Sequence, residues 1–161
     1  MEKGGDIAFT EFWRFAQIAA NEQLEYMVIG GLALNFHKIL RNTIDSDLWI
    51  KPLKENFVKL KKILIEMGYD EEDLNYLDSL TESETCVFSI DGPIEFLTQV
   101  HHSFHFQTCY ERAMHFQIEK TEIPVLGLTD LRDLKVRAKR PQDLRDVILI
   151  DEFLEKNREK N

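Results

Sequence analysis

The sequence predicts a single α/β domain, of the mixed α+β kind, in which helices flank a mixed β-sheet. Apolar residues recur at helical spacing in several segments, and short β-rich apolar runs separate those segments. The chain has 161 residues, 43% of them hydrophobic, which suits one domain with a sizeable core. No repeat and no linker rich in Pro, Gly or Ser divides it. We therefore expect one domain over residues 1–161, with its core at about residues 24–155.

The first part of the chain is predicted to alternate helices and strands. Thr10 is placed as the N-cap of a first helix, because apolar residues follow it at helical spacing. The run 26–30 is short and apolar and ends in two glycines, so it predicts a buried strand. The elements predicted to follow are a helix at 32–40, a strand at 47–51 and a helix at 55–67.

The second part predicts an acidic connection, several strands and two helices. Residues 70–84 form the acidic connection, and residues 104–114 fit no single pattern. Two β-rich arms joined by Asp-Gly-Pro predict a hairpin, and a later pair of short runs predicts two strands or a strand and a loop. The predicted bounds are 85–90, 94–100, 116–119 and 123–126 for strands, 129–135 for a helix capped by Thr129, and Pro141 for the start of the last helix.

The last helix carries an apolar stripe, which predicts that this face packs onto the core. Four side chains make up the stripe: Leu144, Val147, Ile148 and Leu154.

Charge and cysteine content narrow the classes of partner. The formal net charge of −9 opposes general binding to nucleic acid. No apolar run reaches the length of a membrane span, and no secretory signal is visible, so we expect a cytoplasmic protein. The two cysteines, Cys86 and Cys109, lack metal-site or redox-motif spacing and suggest ordinary buried thiols.

Two glycines and three carboxylates carry the predicted chemistry. Gly30 and Gly31 leave a strand and open a helix, where backbone N–H groups can approach a phosphate closely. Asp45 and Asp47 are two residues apart at the start of a strand, so they share a face at a separation of roughly 6.5–7 Å. Such carboxylates repel each other unless a cation neutralises them, and oxygen ligands suit Mg²⁺ or Mn²⁺.

Glu95 is the third carboxylate of interest. It lies alone in an apolar β-rich run, where an unpaired buried acid is costly. The alternative is that Glu95 points to solvent from a half-exposed strand. A Gly-Gly pair and two aspartates spaced by two also arise often by chance, so these residues alone leave the function open.

In this pattern the sequence resembles the nucleotidyltransferase superfamily, which has the DNA polymerase β-like fold. The likeness is greatest to small bacterial single-domain members related to minimal nucleotidyltransferases and to abortive-infection and toxin–antitoxin proteins, and it runs from about Tyr26 to Phe153. The first matching block is Gly30, Gly31, Ala33, His37, Arg41, Thr43, Asp45 and Asp47. The later matching block is Glu95, Thr98, residues 123–125, Leu131, Lys135, Arg140, Pro141, Asp143 and Asp146.

Three positions depart from the family pattern. Glu95 stands where Asp is usual, Ser46 where a hydrophobic residue is usual, and Lys38 where Gly is common. None of these removes a required group, although the longer Glu95 side chain could weaken a second metal site.

The resemblance implies a nucleotidyltransferase-like fold and transfer of a nucleoside monophosphate from a nucleoside triphosphate to a hydroxyl or phosphate acceptor. In that reading Asp45 and Asp47 hold an Mg²⁺ or Mn²⁺ ion that also binds the triphosphate, and Glu95 helps to hold a second ion. The sequence names no acceptor, and the candidates left open are a protein and a tRNA. The alternative is a non-catalytic nucleotide-binding protein, or an interaction protein of the toxin–antitoxin type, with the same fold. The residues implied to bind the nucleotide are Gly30, Gly31, Arg41, Thr43 and Lys135.

The resemblance also implies roles for the two cations just before the last helix. Lys135 would face the cleft, exposed and in contact with the triphosphate, while Arg140 would pair with Asp143 or Asp146. The alternative is that both cations lie on the solvated side of an ordinary helix.

Histidines are weaker candidates. His101, His102 and His105 could form a zinc site, but surface or partly buried histidines are the better interpretation. His37 is expected to be a core residue with one hydrogen bond rather than a substrate contact.

Overall fold

A computed structural model describes residues 4–82, 85, 87–89 and 92–159. These residues form a mixed α+β fold in which helices flank an open six-stranded sheet, so the prediction of a mixed sheet flanked by helices is confirmed. The α-helices are α1 (Gly4–Glu22), α2 (Gly30–Phe36), α3 (Lys54–Glu66), α4 (Glu71–Leu74), α5 (Phe106–Glu111), α6 (Leu128–Ala138) and α7 (Pro141–Glu159). The strands are β1 (Tyr26–Ile29), β2 (Ser46–Ile50), β3 (Val87–Ser89), β4 (Ile94–Leu97), β5 (Met114–Ile118) and β6 (Thr121–Val125).

The sheet has the strand order β3-β4-β2-β1-β6-β5. β1 runs antiparallel to β2 and parallel to β6, and β2 runs parallel to β4. The end of β1 therefore lies beside the starts of β2 and β4. In the register, Ile29 is opposite Asp47, and Asp47 is opposite Glu95.

The core is an aromatic layer between α1 and the sheet. Phe12 and Phe15 of α1 are fully buried. The Phe15 ring lies 5.4 Å from the ring of Tyr26 on β1 and 5.6 Å from that of Phe96 on β4. These contacts connect strands that are far apart in the sequence, and aromatic burial of this kind contributes strongly to stability.

The helix starts predicted at threonines are wrong. α1 begins well before Thr10. α6 begins at Leu128 with Gly127 as its N-cap residue, so Thr129 lies inside its first turn. A threonine side chain favours a cap but does not compel one, because the preceding residues can also take helical dihedrals.

The helix predicted at 32–40 ends earlier, at Phe36. Lys38 has a φ of +70°, a left-handed conformation that stops the helix. The Ile39 amide then donates to the Leu34 carbonyl, a closing bond typical of a helix end. The chain that follows, residues 38–45, is a loop that leads into β2.

The predicted buried face of α7 is also wrong. Its buried residues are Asp143, Asp146 and Ile150, whereas Leu144 and Ile148 are exposed. The two aspartates are buried because cations from other segments pair with them, a tertiary effect that an apolar stripe cannot reveal.

The remaining predictions concern connections. The acidic segment contains α4 and a 3-10 helix, Asn75–Ser79, anchored by buried Leu74 and Leu77. The segment 104–114 contains α5, in which the free thiol of Cys109 is buried. The predicted hairpin is confirmed as antiparallel β3 and β4, and β5 and β6 form a second one. Cys86 and residue 90 of the first predicted arm, and residue 91 of the predicted turn, lie outside the described residues.

Among the described residues, no helix is both long enough and apolar enough to cross a membrane.

Candidate functional site

Two carboxylates lie side by side at one end of the sheet. Asp47 of β2 and Glu95 of β4 are direct partners in a parallel strand pair, so both side chains project from the same face about one strand spacing, roughly 5 Å, apart. In β4 the neighbours Ile94 and Phe96 are buried on the opposite face. Both carboxylates line a cleft of about 240 Å³ between the sheet and the α6–α7 connection.

The protonation of Asp47 reflects this crowding. Partial burial, and then the charges of Glu95 and Asp45, raise the pKa of Asp47 to about 6. The positive charges of Lys135 and Arg140 act in the opposite direction. An added cation beside Asp47 and Glu95 would offset both the burial of the charged carboxylate and the repulsion between the two acids.

Gly30 lets the backbone approach this acidic pair. It has a φ of +68°, and a Cβ at this position would overlap the Asp47 carboxylate. Gly31 is similarly crowded, since a Cβ there would lie 3.0 Å from both Arg41 Nη1 and Thr43 Oγ1. The glycine pair therefore allows the β1–α2 turn to touch both β2 and the 38–45 loop.

An ion cluster stands at the opposite wall of the cleft, and its members are Arg41, Lys135, Arg140, Asp143 and Asp146. Lys135, Arg140 and Asp143 line the cleft itself. Lys135 Nζ lies 2.7 Å from Asp146 Oδ2 and 3.8 Å from Asp143 Oδ1. Arg41 Nη1 lies 3.2 Å from the same Asp146 oxygen, so one carboxylate holds two cations. The cluster joins the 38–45 loop to α6 and α7.

Arg140, just before α7, completes this cluster with a side chain that is 76% exposed. Its Nε and Nη2 donate to the two carboxylate oxygens of Asp143 at 2.7 and 3.2 Å, and its backbone N–H donates at 3.2 Å. These hydrogen bonds lower the pKa of Asp143 against the opposing effect of its burial. The predicted pairing of Arg140 with Asp143 is confirmed.

The expected exposure of Lys135 is wrong. Its side chain is only 7% exposed, although it does line the cleft with Asp47 and Glu95. The ammonium is held by two aspartates one turn apart on α7, so removing it affects folding as well as any ligand.

The other predicted site residues lie beside the cleft rather than in its lining. Asp45 is exposed just before β2, and its charge reaches Asp47. Thr43 Oγ1 donates to the Asp45 carbonyl oxygen at 2.9 Å, which fixes the end of the loop. Gly31 and Arg41 lie beside the same loop. The predicted site residues that the structure does bring together in the cleft are Gly30, Asp47, Glu95 and Lys135.

His37 and His101 make hydrogen bonds within the protein. His37 Nε2 donates to the Leu126 carbonyl oxygen at 2.8 Å, and burial lowers the pKa of His37. His101 Nδ1 lies 2.7 Å from Ser103 Oγ. Within the described parts of the chain, no three His, Cys, Asp or Glu side chains are grouped closely enough to hold a metal ion by themselves.

Sequence reasoning missed the apolar side of the cleft. Leu97 and Val100 follow Glu95 along the chain and contribute one apolar wall. On α6 the lining residues recur at helical spacing, so the sequence alone already indicates that they share one face of the helix. These α6 residues are Leu131, Leu134, Lys135 and Ala138.

No protein-family model matches this chain, and no curated protein matches it.

Proposed function

We propose that the protein is a metal-dependent nucleotidyltransferase with a nucleotidyltransferase-like fold. It would transfer a nucleoside monophosphate from a nucleoside triphosphate to a hydroxyl or phosphate acceptor. One observation carries the proposal: Asp47 and Glu95 are paired across β2 and β4 in a cleft whose opposite wall is basic. The reaction needs these same two features, a cation-binding acidic edge and a surface that tolerates a polyanion.

The donor set fits a hard divalent cation. Mg²⁺ is usually bound by one or two carboxylates, with substrate phosphates and water completing its shell, so a ready-made group of three protein ligands is not required. Asp47 and Glu95 would be the direct ligands, and Asp45 would add charge from just outside the cleft. Bound there, the cation would neutralise triphosphate charge and make an attacking hydroxyl more acidic.

The basic wall is suited to the triphosphate. Of the ion cluster, the cations Lys135 and Arg140 and the carboxylate of Asp143 line the cleft, which leaves one net positive charge on this wall. The fields of Lys135 and Arg140 reach Asp47 across the cleft. Together with the exposed backbone at Gly30, they would orient the phosphates and stabilise charge on the departing pyrophosphate.

The proposed step is an in-line displacement at the α-phosphorus. The acceptor oxygen forms a bond to that phosphorus, and the bond from phosphorus to the bridging oxygen breaks. Pyrophosphate leaves with the electron pair, and the hydroxyl proton passes to the Glu95 carboxylate or to water. Positioning and electrostatics supply most of the catalysis in such a reaction.

A second candidate function is nucleotide binding without transfer. The observation in its favour is that Lys135 is already held at 2.7 Å by Asp146 instead of presenting a free ammonium to the cleft. A protein of this kind could act through a bound nucleotide or a protein partner, as in the toxin–antitoxin type of interaction.

The decisive experiment incubates the protein with each labelled nucleoside triphosphate and Mg²⁺ or Mn²⁺, with tRNA or candidate protein acceptors. We expect pyrophosphate release and a labelled acceptor, both abolished in Asp47→Asn and Glu95→Gln. Glu55→Gln, at an exposed acid in the first turn of α3, is the matched control and should remain active. Calorimetry separates the candidates: binding without turnover supports the second, and neither binding nor turnover overturns both.

A further inference from the structure

The outer side of the α6–α7 pair carries an apolar patch that the fold leaves uncovered. The outer patch consists of Val136, Leu144 and Ile148, which are 38%, 49% and 57% exposed. Leu144 and Ile148 are one turn apart on α7, on the side away from the buried Asp146 and Ile150. Exposed aliphatic side chains that lie together offer apolar area that a partner can cover.

Ion pairs between α6 and α7 determine how the two helices that carry the patch are oriented. Arg132 of α6 binds Asp151 of α7 through two hydrogen bonds of 2.6 and 3.0 Å. Lys135 then pairs with Asp146, so α6 and α7 run antiparallel. Val136 lies one turn beyond Arg132 and next to Lys135, so it stands at the level of α7 between Leu144 and Ile148.

We propose that the outer patch is the interface with a second copy of this chain, formed by antiparallel packing of α7 against α7 about a twofold axis near Ile148. A twofold interface places the same surface on both subunits, so Ile148 packs against Ile148 of the partner subunit. The interface is separate from the cleft, because the residues that line the cleft lie on the inward side of α6 and α7.

The charges beside the outer patch favour a second copy of this chain as the partner, and an antiparallel orientation of the two α7 helices. Arg145 lies three residues before Ile148, and Glu152 lies four residues after it, on the same border of the patch. In the antiparallel arrangement each Arg145 faces Glu152 of the partner subunit, which gives two symmetric ion pairs. A parallel arrangement would instead place like charges together.

These two residues are available for the contact. In the part of the chain that the structure describes, neither Arg145 nor Glu152 makes an ion pair within the subunit. The neighbouring Asp151 is already bound to Arg132, so Glu152 is the acid left to meet Arg145.

Sedimentation equilibrium of the full chain over a range of concentrations tests the interface. We expect the wild-type mass to rise from 19.0 kDa towards twice that value with increasing concentration. Ile148→Asp should remain monomeric. Val58→Asp, at a 59% exposed position on α3, is the matched control and should associate as the wild type does. Circular dichroism checks that each variant is folded.

Charge reversal tests the orientation. Arg145→Glu and Glu152→Arg should each weaken association by about tenfold or more, because each turns two attractions into repulsions. The double variant should recover affinity close to wild type. A wild type that stays monomeric at several hundred micromolar, association unaffected by Ile148→Asp, or a double variant no better than the singles would each overturn the proposal.

Discussion

A single added methyl group at Gly30 would act on both the backbone and the site. Gly30→Ala has to adopt a φ of +68° and would press its Cβ against the Asp47 carboxylate. We expect the free energy of unfolding to fall by about 2–3 kcal/mol, from the strained backbone and the steric overlap together. Chemical denaturation measures the loss.

Gly68→Ala separates the cost of the strained backbone from the cost of the steric overlap. Gly68 also has a left-handed φ, +103°, but a Cβ there meets nothing within 4 Å. Its loss should be about 1–2 kcal/mol, from the backbone alone. If both variants lose the same stability, the close approach of Gly30 to Asp47 is not energetically important.

The pKa of Asp47 sets a pH dependence of stability. Because burial and neighbouring carboxylates raise this pKa from 3.8 to about 6, the folded state holds the proton more tightly than the unfolded chain. The resulting stabilisation is fully present below pH 3.8 and is lost as the pH rises through 6. At pH 7, without divalent metal, Asp47→Asn should therefore be more stable than wild type by up to about 3 kcal/mol.

Urea denaturation in EDTA from pH 4 to pH 8 checks this dependence. The difference between wild type and Asp47→Asn should grow between about pH 4 and pH 6 and then level off. Asp73→Asn, at an exposed acid on α4, should show no such trend. A constant difference across the range would mean that Asp47 titrates normally in the folded protein.

At the scale of elements, the contact between α6 and α7 depends on charge as much as on apolar packing. Lys135→Ala would leave Asp143 without one of its cations and Asp146 with Arg41 alone. Breaking a buried pair in this way should lower the free energy of unfolding by about 3 kcal/mol. Lys156→Ala, on the exposed end of α7, should change it by less than about 0.5 kcal/mol. A similarly small loss for Lys135→Ala would show that the cluster is dispensable for folding.

The elements differ in how far the sequence could predict them. α3 was predicted to within one residue at each end, because its apolar stripe is a local signal. The inward face of α7 was not, because Asp143 and Asp146 are buried only once cations from α6 and the 38–45 loop are beside them. Local periodicity contains no information about that distant pairing.

The candidate site shows the same division. Alternation along β4 is enough to put Glu95 on the face opposite Ile94 and Phe96. That β4 pairs in parallel with β2, in a register that sets Glu95 beside Asp47, depends on tertiary structure. The exposure of Lys135 was misjudged for a related reason, since its partners lie on the next helix.

At the scale of the whole molecule, divalent metal should stabilise the fold, because an ion that binds only the native state shifts the folding equilibrium. At a concentration 100 times its dissociation constant, Mn²⁺ should add about 2.7 kcal/mol, which corresponds to several degrees in Tm for a chain of this size. Thermal melts with and without Mn²⁺ measure the shift. Asp47→Asn should lose most of it, and equal midpoints for wild type at millimolar Mn²⁺ would count against a metal site.

The strand order β3-β4-β2-β1-β6-β5 also determines when the cleft can form during synthesis. The central strands β1 and β2 emerge early from the ribosome, but each pairs with a strand made much later. Forty residues separate Glu95 from Lys135, which at about 5–20 residues per second is an interval of about 2–8 seconds. During that interval the nascent chain holds its two acidic strands without the basic helix that will face them, so the last helices to be translated complete both the charge balance and the fold.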